Sequence, residues 1–241
     1  MRSICLSLLF AFLAFIAGRC NAMDAASVVI FHGAQKAFAA CGGLQGVNVV
    51  DDGHVVCLRG KIDPTMFISL VKLKDRIKLR PYVIVSGPGG YVDSSIYIVR
   101  ILDAYDPVPV AGDMCASGCA QFLFLMGRHR VLLHCADVAM HEGPWTVQEV
   151  LAEKASDEFK QRLIANIWQF KEFYQHRHIS LDMLTKPPLS VQKKLNSGVI
   201  EFWPWSINKL RSFGVKGIIS ENDPDDVVPH DYATSCLAHK G

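Results

Sequence analysis

The chain has 241 residues, of which 50% are hydrophobic, enough for one sizeable core and too few for two ordinary domains with linkers. Lys and Arg number 25 against 23 Asp and Glu, a formal charge of +2 at pH 7, and no basic patch points to nucleic acid as a partner.

Arg2 precedes the apolar run Ile4 to Ala17, and Cys20-Asn21-Ala22 supplies small residues before a cut after Ala22. That is the pattern of a secretory signal peptide, so the chain is expected to be exported, periplasmic or secreted, and to meet a membrane only through this leader. A spanning helix needs ~20 apolar residues and the run is shorter; Arg19 also replaces the small residue expected before a lipidated cysteine. The leader carries Arg2 and Arg19 and no acid, so the mature chain has about zero net charge. Cys41, Cys57, Cys115, Cys119, Cys135 and Cys236 stay in it, and in an exported protein they are expected to form disulfides. Sequence does not choose among the pairings, although Cys41 and Cys57 stand out because they flank one short β-like segment. Cys115, Cys119, His134 and Cys135 match no compact zinc spacing, and no metal is expected.

Residues 24–50 carry a short β-like run, Val28 to Phe31, and a loop signal, Cys41-Gly42-Gly43. Val55 to Leu58 reads as a buried strand, and Asp63-Pro64 as a helix cap with proline at the first helical position. Phe67, Leu70, Val71 and Leu73 give that helix its apolar face. A second strand, Tyr82 to Val85, runs into Ser86-Gly87-Pro88-Gly89-Gly90 and then a helix with Ile96, Val99, Ile101 and Leu102. A third strand, Pro107 to Ala111, leads to Met114-Cys115-Ala116-Ser117-Gly118-Cys119-Ala120 and an apolar helical run, Gln121 to Met126. This rhythm predicts right-handed crossovers and a largely parallel sheet, with the site at the loops leaving the strand ends.

Val131 to Leu133 and Val138 to Met140 are further predicted strands, the second delivering His141. The segment from Trp145 to His178 reads as one long helix, either projecting for assembly or covering the surface. A short helix at Ser180, an aromatic loop Phe202-Trp203-Pro204-Trp205, a helix over Ser206 to Phe213 capped by Gly214, and a strand within Val215 to Ile219 follow. The tail beyond Glu221 is polar.

Ser86-Gly87-Pro88-Gly89-Gly90-Tyr91-Val92 resembles the strand-to-helix glycine loop of the ClpP/crotonase superfamily, with one residue inserted. Cys115-Ala116-Ser117-Gly118-Cys119-Ala120 resembles the nucleophile turn of ClpP, and Val138-Ala139-Met140-His141-Glu142 the strand end with its catalytic histidine. The order and separation of Ser117 and His141 are similar to the family's, and the long helix falls where ClpP carries its inter-ring handle. The resemblance covers about residues 53 to 220, leaving a leader (1–22), an N-terminal segment (23–52) and a tail (221–241). It implies an α/β fold of repeated β-β-α and βαβ units with a projecting helix, closest in kind to exported ClpP-like proteins.

The implied chemistry is acyl transfer without a cofactor: Ser117 attacks a peptide carbonyl and His141 takes its proton and returns it to the leaving amine. The amides of Gly89 or Gly90 and of Gly118 would hold the oxyanion. The family's acid is an aspartate; here Glu201 is nearest, one residue out of register, with Asp182 as a second candidate. The implied partners are a peptide or unfolded chain and further copies of this one, with no ATPase. Two other functions stay open. One is a serine–lysine peptidase with Lys171 or Lys160 as base, and the other an inactive peptide-binding scaffold. An acyl-CoA enzyme is a distant third.

Overall fold

A computed structural model describes residues 23–134, 136–141, 143, 146–189, 191–192 and 202–221. The leader, Cys135, Cys236, Glu142, Glu201 and the tail beyond Glu221 lie outside the described residues. The first helix among the described residues is α1 (Ala25–Ala40), where the sequence predicts β structure at Val28 to Phe31. The side chain of Asp24 accepts from Ser27 N at 2.7 Å and so caps it. Phe31, Ala34 and Ala37 are buried along one side, while Val29 is 71% exposed. Helical spacing and a cap therefore outweigh the β preference of a Val-Val-Ile-Phe run. Close docking is possible because residue 33 is glycine: a Cβ there would lie 2.1 Å from the Tyr82 hydroxyl.

Six strands form the larger sheet, in the order β1 (Gly46–Val50), β2 (Val55–Arg59), β3 (Tyr82–Ser86), β4 (Val108–Ala111), β6 (Arg130–Leu132) and β9 (Ile218–Ser220). The β1–β2 pair is antiparallel and every later pair is parallel, so the chain is a mixed α/β structure. The connections after β2 and β3 run through α2 (Pro64–Leu73) and α3 (Val92–Asp103). Asp63 caps α2 by accepting from Met66 N at 2.9 Å, with Pro64 at its first position as the sequence indicates. One face of the sheet packs Val56, Val83 and Val85 against Leu70, Ile98 and Leu102. The other packs Cys57, Ile84 and Val110 against Phe31 and Ala34 of α1. Each fully buried aliphatic side chain in these layers contributes about 1.5–3 kcal/mol. The Cys41–Cys57 disulfide, the pair that stood out in the sequence, ties the end of α1 to β2.

A second sheet holds β5 (Met114–Ala116), β7 (Asp137–Met140) and β8 (Trp203–Pro204). The sequence does not signal β5, whose three residues are too few to show a period. It reads Phe202 to Trp205 as a loop, yet Met140 pairs with Trp203 and Ala139 with Pro204, antiparallel, and Trp203 is buried. The two sheets meet where Gly87 bridges to Cys115.

The predicted single helix from Trp145 to His178 is two, α4 (Val147–Ala152) and α5 (Asp157–His176). Each has its own start signal: a capping box of Thr146 and Glu149, and a Ser156 hydroxyl accepting from Phe159 N at 3.3 Å. In α5, Ile167, Phe170, Phe173 and Tyr174 are buried, and Phe170 and Phe173 meet Phe122 at 4.6 and 5.0 Å between ring centroids. Residues 157 to 166, the first half of α5, are half-buried or exposed. Two short helices, α6 (Asp182–Thr185) and α7 (Ile207–Ser212), follow among the described residues. Among the described residues no helix is long and apolar enough to cross a membrane.

Candidate functional site

The glycine loop after β3 is pinned on both flanks. On one side Gly87 N donates to Met114 O at 2.7 Å and its carbonyl accepts from Ala116 N at 2.9 Å. On the other, Ile62 N donates to Gly89 O at 2.8 Å and Ile62 O accepts from Tyr91 N at 2.9 Å. This parallel bridge uses the groups either side of Gly90, so the Gly90 N–H points away from Ile62.

The far side of the loop is occupied by Ser117. A Cβ on Gly89, whose φ is +88°, would lie 2.5 Å from Ser117 Cβ and 2.6 Å from Gly118 N. A Cβ on Gly118 would lie 2.8 Å from Ser95 Oγ and 3.5 Å from Gly90 N. At Gly89 only glycine lets the loop backbone run this close to the Ser117 turn, and that closeness sets the glycine loop beside the Gly118 amide. Ser95, in the first turn of α3, donates its hydroxyl to Tyr91 O at 2.9 Å and fixes that end of the loop.

Ser117 follows β5 directly, not β4 as the sequence order suggests, and adopts φ +53° in the left-handed region. That conformation costs a non-glycine residue about 1–2 kcal/mol and is met here by surrounding constraints. Ser117 N donates to Ala139 O at 3.0 Å, joining the turn to β7, and Ser117 O accepts from Gln121 N at 2.7 Å. The residues that follow form a π turn, Cys119–Leu123, in place of the regular helix expected from Gln121. Gly118 opens this turn, so its amide lies among the helix-start N–H groups that have no intrahelical acceptor.

His141 leaves β7 with its Nε2 2.8 Å from Ser117 Oγ. Both residues are partly exposed, so a solute can reach the pair. Gln121 donates its side-chain amide to His141 O at 2.9 Å. The Gln121 carbonyl in turn accepts from the Tyr174 hydroxyl of α5 at 3.1 Å. The Phe202 ring stands edge-on to the imidazole, 5.5 Å between centroids and 90° between planes. Phe202 precedes β8 and His141 follows β7, so continuing their antiparallel register sets the two rings opposite each other.

The sequence thus singles out Ser117, His141, Gly89, Gly90 and Gly118, and all five lie in one constellation. Glu201 is outside the described residues. Asp182 opens α6 and meets Lys186 Nζ at 2.9 Å. Of the alternative bases, Lys171 lies over the Trp168 ring at 5.1 Å and Lys160 donates to Leu151 O at 3.1 Å. Cys115 and Cys119 are joined as a disulfide, which takes two sulfurs from the zinc reading, and Cys135 lies outside the described residues. Among the described residues no three metal-ligating side chains converge.

Gln121, Tyr174, Ser95 and Phe202 were not signalled as site residues. A lone glutamine inside the apolar run Gln121 to Met126 was a usable sign, since a buried amide needs partners. No local pattern marks the other three. The chain matches no family model and no curated relative.

Proposed function

We propose that this chain is an exported, ClpP-like serine peptidase that hydrolyses peptide bonds without ATP. The observation that carries the reading is the 2.8 Å contact between Ser117 Oγ and His141 Nε2, in a left-handed turn beside two glycine amides. A serine hydroxyl needs an adjacent base to attack a carbonyl, and the imidazole supplies it. In this reading Ser117 Oγ bonds to the peptide carbon while its proton passes to His141 Nε2. The carbonyl oxygen becomes an oxyanion between the amides of Gly118 and Gly90, or of Gly118 and Gly89. Collapse of this intermediate breaks the C–N bond as His141 returns the proton to the leaving amine. Water then repeats the sequence and frees the acid. Each amide donor in such a hole lowers the barrier by about 3 kcal/mol.

Glu201 is the acid the sequence offers for orienting the imidazole. The two disulfides fit an oxidising compartment, in keeping with export. The substrate is a peptide or unfolded chain, and assembly into a homo-oligomer belongs to the same reading.

The test is labelling of the purified protein with a fluorophosphonate probe, beside Ser117→Ala and His141→Ala. Loss of labelling in both variants supports an activated serine. A folded wild-type chain that does not label overturns the peptidase reading, and retained peptide binding would then favour the scaffold.

A further inference from the structure

The Cys115–Cys119 disulfide encloses Ser117. Cys115 lies on β5 and Cys119 begins the π turn, so the bond clamps the end of a strand to the start of a helix with the serine between them. The two Cα atoms are 5.2 Å apart. Four residues of extended chain span up to about 13–14 Å, so the bond forbids the extended path that a free strand end would otherwise sample. It leaves the sharp turn in which Ser117 has φ +53°.

Its loop is also short, a sequence separation of 4 against 16 for Cys41–Cys57. Closing the shorter loop removes less entropy from the unfolded chain, about 2 against about 3 kcal/mol, so this bond is the weaker staple of the two and acts on the geometry of a few residues. Cys115 is 0% and Cys119 1% exposed. Neither an oxidant nor a reductant reaches them in the folded chain, so the bond forms as the chain folds.

We propose that the Cys115–Cys119 disulfide is an activating lock on Ser117, set once, when the chain folds among oxidants. This rests on reading Ser117 as the nucleophile. Folded with both thiols reduced, the turn relaxes and Ser117 Oγ leaves the line joining His141 Nε2 and the amides of Gly90 and Gly118. A chain that folds before export is thereby silent. Forming the bond takes one proton from each thiol and two electrons in all. A disulfide-bearing oxidant accepts them by thiol–disulfide exchange through a mixed disulfide and departs as a dithiol.

The test compares fluorophosphonate labelling of the oxidised wild-type chain with Cys115→Ala/Cys119→Val and, as a control, Cys41→Ala/Cys57→Ala. Displacing a reacting group by about 1 Å costs about a hundredfold in rate. Labelling of the first variant is expected to fall by about that factor, with its circular dichroism retained and the control close to wild type. Wild-type labelling in a folded Cys115→Ala/Cys119→Val overturns the lock.

If that variant does not fold, wild-type chain refolded in dithiothreitol replaces it. Labelling that appears only after oxidised glutathione is added during refolding supports the lock, and labelling before it overturns it. If oxidised wild type itself fails to label, the peptidase reading falls, and hydrogen exchange of the 112–126 peptide decides the lock separately. Faster exchange there in Cys115→Ala/Cys119→Val but not in the control supports a clamped turn, and equal exchange overturns it.

Discussion

Gln121 holds the backbone of His141: its side-chain amide donates to the His141 carbonyl at 2.9 Å while its own N–H donates to Ser117 O at 2.7 Å. Serine and histidine are therefore joined twice, by their own contact and through this buried amide. Gln121→Leu removes the bond to the His141 carbonyl and is expected to destabilise the fold by about 0.5–1.5 kcal/mol. Labelling is expected to slow about tenfold, as a misplaced base predicts, with a changed pH profile. Kinetics across pH check this; a variant that melts early but labels with the wild-type profile would assign Gln121 to packing alone.

Tyr174 holds the backbone carbonyl of Gln121 from α5. Burial pushes its hydroxyl well above the ordinary 10.0, so it stays a protonated donor throughout the physiological range. Tyr174→Phe keeps the ring contacts with Phe170 and Phe173 and loses only the bond to Gln121 O. The expected loss is about 0.5–1.5 kcal/mol in urea unfolding, with no change in slope. An alkaline absorbance titration should show this tyrosine silent until the protein unfolds.

Gly89→Ala tests the close approach of the glycine loop. The added methyl would sit 2.5 Å from Ser117 Cβ and 2.6 Å from Ala116 O, at φ +88°. Backbone must move, at a cost of about 1–3 kcal/mol. Labelling is expected to fall about a hundredfold, since the amides and the serine separate. Measurable labelling at the wild-type rate would show that the loop does not serve the serine.

The Cys41–Cys57 bond should behave as a staple of the fold. For a separation of 16 the chain-entropy cost is about 3 kcal/mol. Cys41→Ala/Cys57→Ala is expected to lose about that much in urea unfolding and to keep its labelling rate while folded.

Asp106 gives a pH signature remote from the site. Its hydrogen bonds from Arg128, 3.1 Å from Nε and 2.7 Å from Nη2, hold its carboxyl below the ordinary 3.8. The unfolded chain then takes up this proton first as pH falls, so the stabilisation is present above the ordinary value and disappears through the lowered one. Wild type is expected to lose its margin over Asp106→Asn in that acid window. Urea unfolding across pH reads it.

The sequence was legible where one local signal decides the structure. Asp63-Pro64 starts α2, glycines follow β3, and an apolar run ends at His141; each is a property of a few neighbouring residues. It was illegible where tertiary contact decides. Val28 to Phe31 became helix because, beside the Asp24 cap, Phe31, Ala34 and Ala37 have a sheet to cover. Trp203-Pro204 became strand because Met140 and Ala139 were free to pair with it. The break between α4 and α5 was readable in principle, since Thr146 with Glu149 and Ser156 are ordinary cap signals and the polar run from Glu153 to Glu158 interrupts the apolar spacing. The residues that hold His141 come from three separate parts of the chain, and no window of sequence contains them together.

The glycine loop also sets a limit on how this chain can change. Residues 87, 89 and 90 each face backbone atoms at a distance where a methyl cannot stand. Drift at these places is closed, whereas most of the surface is open to it. Descendants and distant cousins that keep this loop should therefore share a sparse signature, glycine at each of these three places. Such a signature can outlast overall sequence similarity, and ancestry in this lineage is better traced by those few positions than by percentage identity.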